Sequence, residues 1–206
     1  MNGHLYVLIG PSGAGKTSLA KKAKAVGLAE PIITCTTRAP RTNETDGVDY
    51  HFLSPDMFED HFSSGKLVER EQIHGNWYGT PFSGIANALA STKNAIIAMG
   101  FAGGRSVKER WPNNVSLVYI MPPSIEELQQ RLKIRGDNQA DTDRRLSHAK
   151  DELALTSIAD AIIHNTDLDA AFAELTALIG GQSRSSGSND PAQKGESSAK
   201  ARRALS

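Results

Sequence analysis

Apolar positions along the chain come in short continuous runs separated by stretches with helical spacing. His4-Leu5-Tyr6-Val7-Leu8-Ile9 is one such run, short and mostly apolar, as expected of a strand buried on both faces of a parallel sheet. Further runs at residues 31–35, 95–99, 115–120 and 161–164 predict four more strands. Helical spacing fits residues 17–25, with Leu19, Ala20 and Ala23, and then 106–110, 124–134, 141–156 and 168–179. Ser124 offers an N-cap with Glu127 three residues on. Leu168, Ala171, Phe172, Leu175, Leu178 and Ile179 form one stripe. Strands alternating with helices predict an α/β fold whose parallel sheet is covered on both faces.

Two stretches break this alternation. Residues 36–90 are polar, carry Pro40, Gly47 and Pro55, and are dense in Arg, Tyr and Glu. They follow the second strand, where the C-terminal ends of such strands gather ligands. They predict an inserted lobe with short strands and one helix near residues 55–62. Residues 181–206 are rich in Ser, Gly and Ala and almost empty of large apolar side chains. That composition predicts a disordered, solvated tail, with a small basic excess at Lys200, Arg202 and Arg203. Residues 1–180 are then one domain.

Composition narrows the setting. The 206 residues carry 23 basic and 23 acidic side chains, which gives no bulk attraction to nucleic acid. The single cysteine, Cys35, excludes an internal disulfide and suits a reducing compartment. No apolar run approaches the length of a signal peptide core or a membrane span. A soluble, cytoplasmic protein without membrane partners is expected.

The chemistry begins where the first run ends. Gly10-Pro11-Ser12-Gly13-Ala14-Gly15-Lys16-Thr17 fits G-x-x-x-x-G-K-[ST], a phosphate-binding loop, and Ser18 follows it into the helix. Glycines let backbone N–H groups turn inward around a phosphate chain, Lys16 can bridge terminal phosphates, and the Thr17 hydroxyl can ligate Mg²⁺. The strand before and the helix after supply the context that the motif needs. In the lobe, Arg38, Arg41, Tyr50 and Tyr78 would clamp a phosphate monoester if they converged.

Thr36-Thr37-Arg38-Ala39-Pro40-Arg41, followed by Gly47-Val48-Asp49-Tyr50, resembles the S-x-T-T-R-x-P-R and G-x-D-Y patterns of the guanylate kinase family. The likeness continues through Leu67-Val68-Glu69, Gly75-Asn76-Trp77-Tyr78-Gly79-Thr80, Arg131-Leu132, Arg135-Gly136, Arg144-Arg145-Leu146 and Ile163-His164-Asn165. It spans roughly residues 3–180, and the shared order of the motifs behind a phosphate-binding loop makes it specific.

The resemblance implies a P-loop kinase with a parallel-sheet core, an inserted monophosphate-binding lobe at about residues 36–90 and a lid at about 135–145. It implies ATP with Mg²⁺ as phosphoryl donor and GMP or dGMP as acceptor, in a monomer or homodimer acting on small nucleotides. Arg38, Arg41, Tyr50 and Tyr78 would hold the acceptor phosphate. Glu69 and Thr80, with Thr34 where the family usually has Ser, would read the base. The chemistry of Glu69 agrees: an ionised carboxylate only accepts hydrogen bonds, and guanine offers adjacent donors at N1 and N2 where adenine does not. Arg131, Arg135 and Arg145 resemble lid arginines that surround the moving phosphoryl group, and Asn165 resembles the residue that meets the adenine ring. An i,i+4 pair of Arg131 with Glu127 is the bland alternative.

One segment departs from the family. Its members usually carry Asp-x-Asp after the third strand, near Mg²⁺ and the bound monophosphate. Here the segment reads Ala98-Met99-Gly100-Phe101-Ala102-Gly103, and both aspartates are absent. That leaves two rivals open on sequence alone: a related kinase with another acceptor, and a non-catalytic binding module. Pro81 after Thr80, and Asn43 in place of Gly, are smaller departures.

Overall fold

The computed structural model describes residues 3–42, 44–73, 75–134 and 156–185. Two layers of helix enclose a five-stranded, wholly parallel sheet in the order β2-β7-β1-β8-β9. Its strands are β1 (Leu5–Ile9), β2 (Glu30–Pro31), β7 (Ala95–Ala98), β8 (Val115–Met121) and β9 (Ala161–His164). β1 is central, pairing Leu5 with Ala95 on one side and Val115 on the other. All five of its residues are buried, which is why it reads as an unbroken apolar run.

The two-residue alternation of a strand divides β1 between two cores. Tyr6 and Leu8 pack with Leu19, Ala23, Leu175 and Ile179 from α1 (Lys16–Ala25) and α6 (Leu168–Ser185). Leu5, Val7 and Ile9 pack with Ile85, Leu89 and Val107 from α3 (Phe82–Ala90) and α4 (Phe101–Arg110). Each such side chain contributes roughly 1.5–3 kcal/mol on burial.

A second sheet forms the lobe, in the order β4-β3-β6-β5. It comprises β3 (Cys35–Thr36), β4 (His51–Phe52), β5 (Leu67–Ile73) and β6 (Asn76–Pro81). α2 (Pro55–Ser63) covers it, started by Ser54, whose side chain accepts from Met57 N. Cys35, Phe58 and Leu67 give the lobe a small core of its own.

Four sequence expectations are corrected. Residues 31–35 are not one strand: Glu30–Pro31 edges the central sheet, and Cys35–Thr36 belongs to the lobe. Ile32 N still bonds Ile96 O and Thr34 O already accepts from His51 N, so the chain changes sheets within three residues. The lobe's own elements end at Pro81, since α3 returns to the central core. Pro81 is the residue that turns the chain, closing β6 and preceding α3 with φ −63°, the value its ring imposes. Helix α4 begins at Phe101, earlier than residue 106. Helix α6 runs to Ser185, five residues past the expected start of the tail. The expected helix at 141–156 up to its last residue, the lid with Arg135 and Arg145, Asn43, and residues 186–206 lie outside the described residues; Thr156 itself opens a 3-10 turn, Thr156–Ile158.

Candidate active site

The phosphate-binding loop leaves β1 at Gly10 and enters α1 at Lys16. Gly10, Gly13 and Gly15 have φ of 129°, 90° and 97°, values that favour glycine. A side chain on Gly15 would also collide with the amide of Asn165. Gly15 is the N-cap of α1, makes no side-chain cap, and no acidic residue stands in the first turn. The helix N-terminus is therefore open to an anion. Lys16 Nζ donates to Gly10 O at 2.5 Å and Pro11 O at 3.0 Å, so the lysine lies across the loop. Thr17 and Ser18 are exposed, Ser12 is half-buried, and Pro11 and Ala14 are buried.

Two elements hold this loop from outside. α5 (Ile125–Ile134) sets Leu128 Cδ1 3.1 Å and Leu132 Cδ2 3.4 Å from the point a side chain on Gly13 would occupy. Asn165, only 3% exposed, donates from Nδ2 to Ala14 O at 2.7 Å. Its backbone N–H donates to Met121 O. Its Oδ1 is buried without a hydrogen-bond partner, an acceptor that a donor such as an adenine amine would satisfy. Sequence comparison pointed Asn165 at the base of ATP; its amide nitrogen is spent on the loop. Arg131 Nε donates to Glu127 Oε1 at 3.1 Å, the i,i+4 pair foreseen, while Nη2 reaches Asn165 O at 3.5 Å.

In the lobe the structure brings Arg38, Tyr50 and Tyr78 together. The Tyr50 and Tyr78 rings meet edge to face at 6.0 Å, and the Arg38 guanidinium lies 5.6 Å from the Tyr50 centroid. Tyr50 is placed by its own turn: Gly47 at φ 75° reverses the chain, and Asp49 Oδ2 accepts from Thr45 N at 2.9 Å. Arg41 meets the group by its backbone, at Glu44. That carboxylate takes a two-pronged bond from Arg38 Nη2 at 2.8 and 2.9 Å and another from Arg41 N at 2.9 Å. The Arg41 N–H, then Arg38, hold the Glu44 carboxyl below its ordinary range. Burial by itself would lower the Arg38 pKa, but its bonds with Glu44 and Tyr78 outweigh that and raise it. Sequence reasoning missed Glu44, although an acid three residues after Arg41 in a tight turn is a legible signal.

On the paired strands β5 and β6, Thr80 Oγ1 donates to Glu69 Oε1 at 2.7 Å, and Thr80 is 1% exposed. Burial raises the Glu69 carboxyl above its usual range, against the pull of the Thr80 bond, and the charge of Glu71 adds to the rise. Gly103 on α4 gives Glu69 its room, since a side chain there would stand 2.8 Å from Glu69 Cγ. Thr34 enters the lobe beside β4, its carbonyl bonded to His51 N. Sequence reasoning also missed Glu71. The two-residue period of β5, which turns Arg70 away onto the rings of Phe62 and Trp77 at 3.9 and 4.8 Å, was the available signal.

Among the described residues no three His, Cys, Asp or Glu groups converge as a metal cage. The exposed Thr17 hydroxyl at the mouth of the loop is a hard oxygen donor of the kind Mg²⁺ takes alongside phosphate oxygens and water. The donor set thus fits a nucleotide-borne Mg²⁺. No helix among the described residues is long and apolar enough to cross a membrane.

Comparison with known proteins gives the family. A family model described as guanylate kinase matches residues 2–182. A guanylate kinase of Alkalilimnicola ehrlichii is 39% identical over 184 residues, covering 87% of this chain and 89% of the relative. One of Clostridioides difficile is 35% identical, covering 86% and 87%. Among solved structures, the crystal structure of guanylate kinase from Anaplasma phagocytophilum superposes with a TM-score of 0.70 at 25% identity, covering 87% of this chain and 86% of that one.

Proposed function

This chain belongs to the guanylate kinase family, and we propose that it is an enzyme transferring the γ-phosphoryl group of ATP to GMP or dGMP, giving ADP and GDP or dGDP. The observation that carries the choice of acceptor is Glu69, half-buried in the lobe with the Thr80 hydroxyl as its partner. A buried carboxylate facing guanine accepts from N1–H and the N2 amine; facing adenine it would be left unpaired.

The loop at residues 10–18 takes the phosphates of ATP on its inward amides and on the N-terminus of α1. Lys16 moves from its carbonyl contacts onto the terminal phosphates. Asn165 holds Ala14 in place and offers Oδ1 to the adenine amine. Thr17 would hold Mg²⁺, which neutralises charge on the β and γ oxygens when bound. Arg38, Arg41, Tyr50 and Tyr78 grip the acceptor phosphate, with Glu44 holding the Arg38 side chain and the Arg41 backbone N–H. Arg131, together with Arg135 and Arg145 of the lid, supplies positive charge around the group in flight. Phosphoryl transfer needs such positioning and charge more than a covalent partner, so the reaction is a direct in-line displacement. The enzyme works on small-molecule nucleotides, as a monomer or homodimer, in the cytoplasm, where its lone buried Cys35 stays reduced.

A coupled assay of the full chain with ATP·Mg²⁺ against GMP, dGMP, AMP, CMP and UMP tests this. GMP or dGMP is expected to lead by a wide margin, with Lys16→Ala lowering turnover roughly 10²–10³-fold, the loss of one transition-state donor. Equal rates on AMP would sink the assignment of Glu69.

A further inference from the structure

Glu69 and Glu71 stand two residues apart on one face of β5, and both reach α4. Glu69 lies against Gly103. Glu71 reaches the head of the helix: its Oε2 stands 2.9 Å, and its Cδ 3.4 Å, from the point where a Cβ on Gly100 would be. The backbone at Gly100 is extended, with φ −70° and ψ 164°, so its conformation makes no demand for glycine. The volume a side chain would take there is filled by the Glu71 carboxylate. Gly100 follows the C-terminal end of β7, beside the end of β1 from which the phosphate loop springs, on the edge of the sheet where ligands gather. It caps α4 without any side-chain hydrogen bond.

The Glu71 carboxylate is engaged by no hydrogen bond or ion pair among the described residues, and its charge opposes ionisation of Glu69. Two carboxylates side by side, with no cation between them among the described residues, are relieved by a ligand that brings hydrogen-bond donors. Ala98 and Gly100 cannot supply a carboxylate from the end of β7; Glu71 brings one to the same place from the lobe.

We propose that Glu71 is an acceptor-orienting residue: beside Glu69, it accepts hydrogen bonds from the donors of the bound nucleoside and so aims the acceptor phosphate at the loop. This rests on GMP as the acceptor. It makes positions 71 and 100 interdependent, since one carboxylate fits at the head of α4 beside Gly100 and can be carried from either side.

Steady-state kinetics and thermal melts of the full chain test the pair. Glu71→Gln and Glu71→Ala should each lower kcat/KM for GMP roughly tenfold or more, the loss of a charged hydrogen bond, and leave KM for ATP unchanged. Gly100→Ala should keep the melting temperature, because the atom in its way is the far end of a flexible side chain. It should nevertheless match the kinetic loss of Glu71→Ala, and adding it to Glu71→Ala should cost nothing more. Gly100→Asp should be harmful alone and should restore GMP kinetics when combined with Glu71→Ala. Wild-type GMP kinetics in Glu71→Gln, or additive losses in Gly100→Ala with Glu71→Ala, would overturn the proposal. If the wild type ignores GMP for another monophosphate, the acceptor assignment falls, and the same variants on that acceptor decide Glu71.

Discussion

Asn165 holds Ala14 from beneath: its side-chain amide donates to the Ala14 carbonyl at 2.7 Å, across 151 residues of chain. The bond ties the end of β9 to the turn that presents the phosphate-binding amides. It is buried, so losing the donor leaves a carbonyl unpaired at a cost of about 1–3 kcal/mol. Asn165→Asp sets an acceptor against an acceptor and should be worse than Asn165→Leu, which only removes the donor. Both should lower the melting temperature and raise KM for ATP, with KM for GMP little changed. Unaltered ATP kinetics in Asn165→Asp would show that the loop holds its shape without this brace.

Glu69 gives a pH signature. Its carboxyl is raised above the ordinary 4.5 in the folded protein, by burial first and by Glu71 second. Only between 4.5 and that raised value does the folded empty protein keep a proton that the unfolded chain has shed. The stability from this group is full below 4.5 and is lost as pH rises through the raised value. Removing the charge should raise the neutral-pH melting temperature of Glu69→Gln above wild type. Guanine needs the ionised form, so kcat/KM for GMP, which reports the free enzyme, should fall as pH drops through that same raised value. Glu69→Gln should lose this acid limb and weaken GMP roughly ten- to hundredfold, and an acid limb that persists in the mutant would assign it elsewhere.

The Arg38 guanidinium gives a different test. Nη2 donates to both Glu44 oxygens at 2.8 and 2.9 Å while Nη1 donates to Ala39 O at 2.7 Å, so two nitrogens held in one plane serve two partners. Arg38→Lys keeps the charge but has one nitrogen for both partners, and should raise KM for GMP about tenfold with KM for ATP unchanged. Glu44→Gln weakens the hold on the Arg38 side chain and on the Arg41 backbone N–H, and should act in the same direction. Isothermal titration with GMP checks both variants, and wild-type affinity in Arg38→Lys would remove Arg38 from the phosphate clamp.

Truncation separates helix from tail. α6 runs to Ser185, and Leu175 and Ile179 are its buried anchors. A chain ending at Ser185 should keep the melting temperature and turnover of the full chain, since the residues beyond are too polar to build a core. Loss of either would show that residues 186–206 dock on the domain.

How much of this was legible in the sequence follows from the range of the interactions. Leu5–Ile9 announced itself because a strand covered on both faces must be apolar at every position. The phosphate-binding loop was plain because its chemistry is packed into eight consecutive residues. The ends of β9 and the start of α2 were equally local, marked by an apolar run and by Pro55. Periodicity records that a side chain is buried, not which sheet or helix buries it. So residues 31–35 read as one strand, although the chain leaves one sheet at Pro31 and enters another at Cys35. Nothing in the segment 82–90 tells that Ile85 and Leu89 return to the core of β1 rather than stay with the lobe. The empty positions Ala98 and Gly100 looked like lost negative charge, and only the packing of β5 against α4 brought Glu71 into the space beside Gly100. Asn165 under Ala14, Glu44 between two arginines and Glu71 over Gly100 are contacts in which the chain's path decides who meets whom, and that path is set by the joint packing of two sheets and the helices around them.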